Sequence, residues 1–290
     1  MSVARSRTPE GPFDSAPGNP ILTARGTDRA IQNTGHGDLV LGPDNTWLMV
    51  LLGARPRSKN RDFSALGRET FVTEVGWHDG WPVAQPVLRQ SRPKTERTRI
   101  DFDDLELTPD WMSVRRTPDS FVSLVGRPGS FVVNADGSPL SAISPTFIGK
   151  RQLHQTMTAT IYIDVSAGVG GIAVRRNEQF HYSIVAGQGQ VTAYACISGF
   201  ERVEKLQFSG TTVELEISSQ RPAALRGESR SSDTVVLAAL IEGRRTVLLD
   251  IDGRYLSYEI SDRLAGRVVG IVALQGQVSV DWFDYEGSND

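Results

Sequence analysis

A single cysteine, Cys196, in 290 residues removes two architectures at once. No internal disulfide forms, and no zinc site is built on thiolates. Within VTAYACISG the residue reads as a small buried side chain of a strand. Long apolar runs are also missing. No stretch reaches the roughly 20 residues that a membrane-spanning helix needs, so no membrane partner is expected. The N-terminal MSVARSRTPEGPF lacks the apolar core of a secretory signal, which leaves localisation open. Neither sign of charge is in excess. A formal net charge of −3 offers no basic face, so no nucleic-acid partner is expected. Helical periodicity is nearly absent.

What is present is a series of short apolar segments punctuated by Gly, Pro, Asn and Asp, the pattern of an all-β chain. The stretch GHGDLVLGPDNTWLMVLLGARP, residues 35–56, reads as two strands joined by a Pro-Asp-Asn turn. Period-two alternation points Leu39 and Leu41 one way and Val40 the other. On the next strand Trp47, Met49 and Leu51 oppose Leu48, Val50 and Leu52. Both faces are apolar, so both need cover from other sheets. RETFVTEVGWHDGWPVA adds a strand closed by a turn with two tryptophans.

Composition shifts after Val87. LRQSRPKTERTR is polar, basic and contains proline, which suits a linker. Downstream, about a dozen strand-sized segments follow with regular turn punctuation, enough for two packed sheets. The chain therefore divides into residues 1–90, a linker at 91–98, and a sandwich at 99–290. The first part holds too few strands to cover itself.

At this point the motifs carry a resemblance. VARSRTPEGPF, NPILT, TGHGDLV, WLMVLLGARP and LGRETFVTEVGWHDGWPV are similar to the last part of the five-bladed β-propeller of glycoside hydrolase family 43. DFDDLELTPDWMSVRRTP, SPTFIGKRQLHQTMTATI, GGIAVRRNEQFHYSI and VSVDWFDYE resemble the concanavalin-A-like (jelly-roll) β-sandwich that follows it. The likeness is closest to exo-acting β-xylosidases and α-L-arabinofuranosidases. It implies hydrolysis of O-glycosyl bonds at the non-reducing ends of xylan- or arabinan-derived oligosaccharides, by an inverting pair of carboxyls about 6.5–9.5 Å apart.

The resemblance also implies where that chemistry sits. The family's base, its second aspartate and its general-acid glutamate precede the segment matching VARSRTPEGPF, so no catalytic residue is assigned here. The chain is expected to be truncated and inactive alone, and the covers missing from the two strands are then the other blades. Uncovered strands favour pairing with a second copy. His36 matches the histidine near the propeller axis, where the family holds a calcium ion or water cluster. Arg55 matches the arginine that contacts the sugar at the −1 subsite, a task suited to a rigid guanidinium fork.

Other residues carry a functional and a structural reading side by side. Asp38 lies two positions from His36 and is read as orienting it rather than as a replacement catalyst; Glu74 is likewise only an acid near a strand. Arg68 and Glu69 are read as a structural pair. His154, Phe180, His181 and Tyr182 are read as core and rim of the sandwich before a sugar groove. Trp77, His78 and Trp81 are read as turn residues that pack the last blade. No cofactor is required, and calcium is the one ion the acidic residues suit. Its candidate ligands are Asp103, within DFDD at 101–104, and Asp281. The family has a further aspartate where Ser279 stands, and a solvated charge run is the competing reading. The hairpin DTVVLAALIEGRRTVLLD also lacks the family's aromatic residues. The alternative function is a non-catalytic carbohydrate-binding sandwich.

Overall fold

The computed structural model describes residues 1–58, 60–88, 95–222, 230–262 and 264–289. It forms two compact units: Met1–Pro56 with Gly67–Arg92, and Arg57–Leu66 with Pro93–Asp290. Residues 91–94 of the expected linker lie outside the described residues.

The first unit is built on a four-stranded antiparallel sheet. Its strands, in spatial order, are β1 (Gln32–Leu41), β2 (Trp47–Ala54), β3 (Arg68–His78) and β4 (Trp81–Ala84). Asp79 and Gly80 join the last two with φ of 51° and 73°, the left-handed pair that a two-residue hairpin turn demands. Alternation places Met49, Leu51 and Val75 on one face, where Leu22, Ile31 and Val87 complete a small core. The chain's own N-terminal segment thus supplies one of the covers that the two-sided apolarity required. The opposite face is not covered by these residues. Val40, Val50 and Val72 are 44%, 37% and 55% exposed on it.

The second unit is a two-layered sandwich. Its main strands are β5 (Thr95–Ile100), β6 (Val122–Ser123), β7 (Phe131–Asn134), β8 (Phe147–Arg151), β9 (Thr156–Arg175), β10 (Phe180–Gly187), β11 (Gln190–Ile197), β12 (Phe200–Gln207), β13 (Thr212–Gln220), β14 (Thr234–Ile241), β15 (Arg244–Asp252) and β16 (Val268–Ser288), with a two-residue strand, Met112–Ser113, on the edge of β8. The long strands β9 and β16 pair from Thr156↔Ser288 to Arg175↔Val268. Beyond β16 lie β5, β7 and β8. Beyond β9 lie β13–β14–β15 along its first half and β10–β11–β12 along its second.

This ladder bends at its middle, where the register slips between Asp164 and Ala167 and again between Val169 and Gly170. Glycine is required there by close approach. A Cβ on Gly168 would stand 2.4 Å from the Gln275 carbonyl oxygen, and one on Gly171 would stand 2.1 Å from that of Ile184. Folding the ladder over brings its halves face to face around one core. Ile161, Ile163, Leu215 and Leu237 enter it from one layer; Ile172, Val174, Ile184 and Val191 enter from the other.

Three boundaries differ from the sequence reading. The sandwich begins at Thr95, not at 99, because Thr95–Ile100 pairs with Phe283–Ser288 as an edge strand. TATIYIDVSAG and GGIAVRRN are one continuous strand, since their glycines mark the bend and not a turn. The excursion Arg57–Leu66, expected with the propeller, groups with the sandwich. There Arg57 donates to the Gln155 carbonyl at 3.0 Å, and the Ser64 amide donates to Glu259 at 2.9 Å.

Candidate functional site

β2 and β3 run antiparallel so that Gly53 faces Glu69 and Ala54 faces Arg68. Arg55 follows directly, which brings its side chain to the start of β3. The guanidinium meets the Glu69 carboxylate fork to fork: Nε–Oε2 and Nη2–Oε1 are both 2.8 Å. The side chains are 11% and 26% exposed, so the pair is sheltered without being sealed. Two parallel charge-assisted bonds fix the plane of the guanidinium as well as its position. The sequence pairing of Arg68 with Glu69 is therefore corrected. Neighbours along a strand point to opposite faces. Arg68 instead donates to the Asn33 carbonyl at 2.9 Å and to that of Leu52 at 3.3 Å. The signal that finds the true partner is register, which sets Arg55 and Glu69 at adjacent ends of paired strands.

His36 lies at the same end of the sheet, on β1. Between Gly35 and Asp38 one extra residue is inserted against β2, and His36 takes a left-handed φ of 52°. This bulge breaks the alternation that placed His36 and Asp38 on one face. Both are exposed, and among the described residues no hydrogen bond joins them. Asp38 thus does not orient the histidine. Glu74 sits opposite Leu48, farther along β3 from the Arg55 pair. In the β3–β4 turn, Trp77 packs edge-on against Trp47, Trp81 lies under the Arg5 guanidinium, and exposed His78 approaches Asp79 at 3.3 Å.

The sandwich histidines are buried structural residues. His154 has Nδ1 3.2 Å from the Tyr285 hydroxyl and Nε2 3.4 Å from Glu96, and its ring fills the space above Gly287. His181 is 1% exposed and stacks on Tyr194. Neither of its ring nitrogens makes a hydrogen bond of good geometry among the described residues. Burial, then the Arg175 charge, push its pKa down to about 4, against a weaker pull from the Glu178 backbone and Glu201. Phe180 and Tyr182 point into the core.

The candidate calcium ligands are two carboxylates, Asp103 and Asp281. Asp103 is exposed, and Asp281, the extra residue of a bulge against β9, accepts from the Ser130 hydroxyl at 3.1 Å. No group of three or more His, Cys, Asp or Glu suited to a metal occurs among the described residues. Calcium takes six to eight oxygens, so these two carboxylates alone do not make a calcium site.

The largest buried polar feature is one that sequence reading missed. Arg267 and Asp233 are both fully buried and paired, with Ser219 and Ser232 also donating to the carboxylate at 2.6 Å. Nothing in either residue's local sequence marks it. The pair is made by the sandwich topology.

With this geometry in hand, two family models match the chain in succession. Residues 1–82 match Glycosyl hydrolases family 43, and residues 99–286 match the Beta xylosidase C-terminal Concanavalin A-like domain. The chain belongs to glycoside hydrolase family 43. Among relatives of this family 43 chain, the non-reducing end alpha-L-arabinofuranosidase of Bacteroides ovatus is 29% identical over 98% of the chain and 57% of its own length. A xylosidase/arabinosidase of Butyrivibrio fibrisolvens is 29% identical over 64% of the chain and 39% of its own length. The solved structure of the family 43 protein BlXynB from Bacillus licheniformis superposes with a TM-score of 0.81 at 25% identity, covering 98% of this chain and 59% of that one. The chain thus spans little more than half the length of the relatives it matches most fully.

Proposed function

We propose that the protein carrying these residues is an exo-acting glycosidase. It cleaves O-glycosyl bonds at the non-reducing ends of xylan- or arabinan-derived oligosaccharides. The observation that carries this reading is the order of the two family matches along one chain, a propeller segment followed by the sandwich of β-xylosidases. Relatives named for xylosidase and arabinofuranosidase activity support the substrate class.

Within that reading Arg55 holds the sugar and Glu69 holds Arg55. A guanidinium fixed in one plane by a bidentate carboxylate orients hydroxyl groups without first losing its own freedom. Neither residue transfers the proton to the glycosidic oxygen, and the inverting carboxyl pair is assigned to none of these residues. His36 stands near the propeller axis in this reading and contributes no metal-dependent step.

The test is hydrolysis of aryl β-D-xylosides and aryl α-L-arabinofuranosides by the protein carrying this segment. Turnover of one or both supports the proposal. Activity confined to unrelated glycosides, or to esters, contradicts it.

A further inference from the structure

We propose that the outer face of the sandwich, where β7, β16 and β9 lie side by side, is a binding groove for a neutral polyhydroxylated ligand such as a short pentose oligomer. The groove is a cleft of about 440 Å³, within the range of sites that take small ligands.

Strand register builds its floor. Val132, Ser279 and Asp164 lie in one row across β7, β16 and β9, and Asn134, Gln277 and Ala167 lie in the next. Val133 and Val278, between these rows, point into the core. The outward residues are therefore a polar surface on a rigid apolar base. Ser166 is inserted in β9 between Asp164 and Ala167, and this bulge turns the strand at the edge of the cleft. Arg127, from the β6–β7 turn, reaches across and binds Asp164 at 2.9 Å.

The polar groups are arranged but not consumed. The Gln277 amide donates to the Asn134 side-chain oxygen at 2.9 Å. That bond leaves the Gln277 oxygen and the Asn134 amino group without a hydrogen-bond partner among the described residues. Asp164 accepts from the Ser166 backbone through one oxygen and from Arg127 through the other, and the Ser166 hydroxyl also bears on it. Donors and acceptors thus converge in one cleft, as hydroxyl groups require.

Charge selects the ligand class. Arg127 and Asp164 neutralise each other, so the groove offers no net attraction to a phosphate or a metal ion. No aromatic side chain lines it, so recognition rests on hydrogen bonds without ring stacking. Binding is expected to be weak, about millimolar, because such contacts only partly offset the freedom lost on association. The groove is built by residues of the sandwich alone, and only the choice of a pentose ligand rests on the proposed substrate class.

The test is titration of the 290-residue chain with xylotriose or arabinotriose, followed by the backbone amide shifts of Asn134, Ser166 and Gln277. These amides should move in a saturable way. The double variant Asn134→Ala with Gln277→Ala, both exposed and outside the core, should weaken binding about tenfold. Asp164→Asn, which preserves shape, should weaken it as well. Shifts that stay still, affinity unchanged in both variants, or saturation by inorganic phosphate instead of either sugar would overturn the proposal. Loss of hydrolysis on changing Arg55 leaves these amides unmoved, so the two readings fail independently.

Discussion

Arg55 and Glu69 are separated by the whole excursion from β2 to β3, yet they close on each other through two bonds of 2.8 Å. The antiparallel register of the two strands brings them together. Removing either partner breaks both bonds of the fork at a site that is mostly sheltered. Glu69→Ala is expected to cost about 1–2 kcal/mol in denaturant unfolding, between the values of exposed and fully buried pairs. Arg68→Ala, which loses only bonds to backbone carbonyls, should cost less. Equal losses for both would mean that the fork carries no special weight.

The 290-residue polypeptide alone is expected to show no hydrolysis of aryl β-xylosides or α-L-arabinofuranosides above background. Glu69 is committed to Arg55, and Asp38 sits exposed beside a bulge; neither belongs to an assigned acid and base pair. General acid–base help, about 10²–10⁴-fold per group, is then missing. Turnover that survives repurification and disappears in Asp38→Asn would contradict this.

Much of the fold was legible because its signals are local. Gln188-Gly189, Ser198-Gly199 and Glu242-Gly243 each make the left-handed pair of a two-residue hairpin, and glycine in the second place announces it. Gly168, Gly170 and Gly171 use the same residue for a bend inside one strand, so VSAGVGG read as a break. The site was less legible. The motif context singled out Arg55, but its partner depends on register, and the His36 bulge removed the alternation from which Asp38 was placed. Asp233 with Arg267, and the groove around Asp164, depend on contacts between distant strands that no local pattern records.

His181 makes stability depend on pH. Its folded pKa of about 4 lies below the ordinary value near 6.5, so the unfolded chain binds the proton more tightly. Stability from this residue is therefore complete above about pH 6.5 and falls as pH drops toward 4. The total loss is about 3 kcal/mol. Urea unfolding across this range should show the slope, and His181→Phe should flatten it. An unchanged slope in the variant would assign the effect to other groups.

The ion pairs of the sandwich should differ sharply in weight. Asp233→Ala leaves a fully buried Arg267 without its carboxylate, at an expected cost of about 3–5 kcal/mol. Arg245→Ala breaks a well-formed pair with Glu216, but the Arg245 side chain is 40% exposed, and the expected cost is below about 1 kcal/mol. Thermal or chemical unfolding of the two variants, side by side, reads the ratio. Comparable losses would contradict the burial argument.

The uncovered valine face of the propeller sheet should drive the polypeptide to self-associate through a second copy. Val40, Val50 and Val72 form an apolar patch that water does not favour. Sedimentation should show a concentration-dependent dimer or larger species, and Val72→Lys should shift it toward monomer. A monomer at all concentrations would show that the patch is too small to pair.

The central claim is that Arg55, held by Glu69, grips the sugar of an exo-acting glycosidase. Steady-state kinetics of the protein carrying this segment, on an aryl xyloside or arabinofuranoside, tests it most directly. Arg55→Ala should lower kcat/KM by about 10–100-fold, and Glu69→Gln, which loosens the fork but keeps Arg55, should fall between it and the unchanged protein. Unfolding midpoints should confirm that both variants remain folded. Unaltered kcat/KM in folded Arg55→Ala would contradict the account.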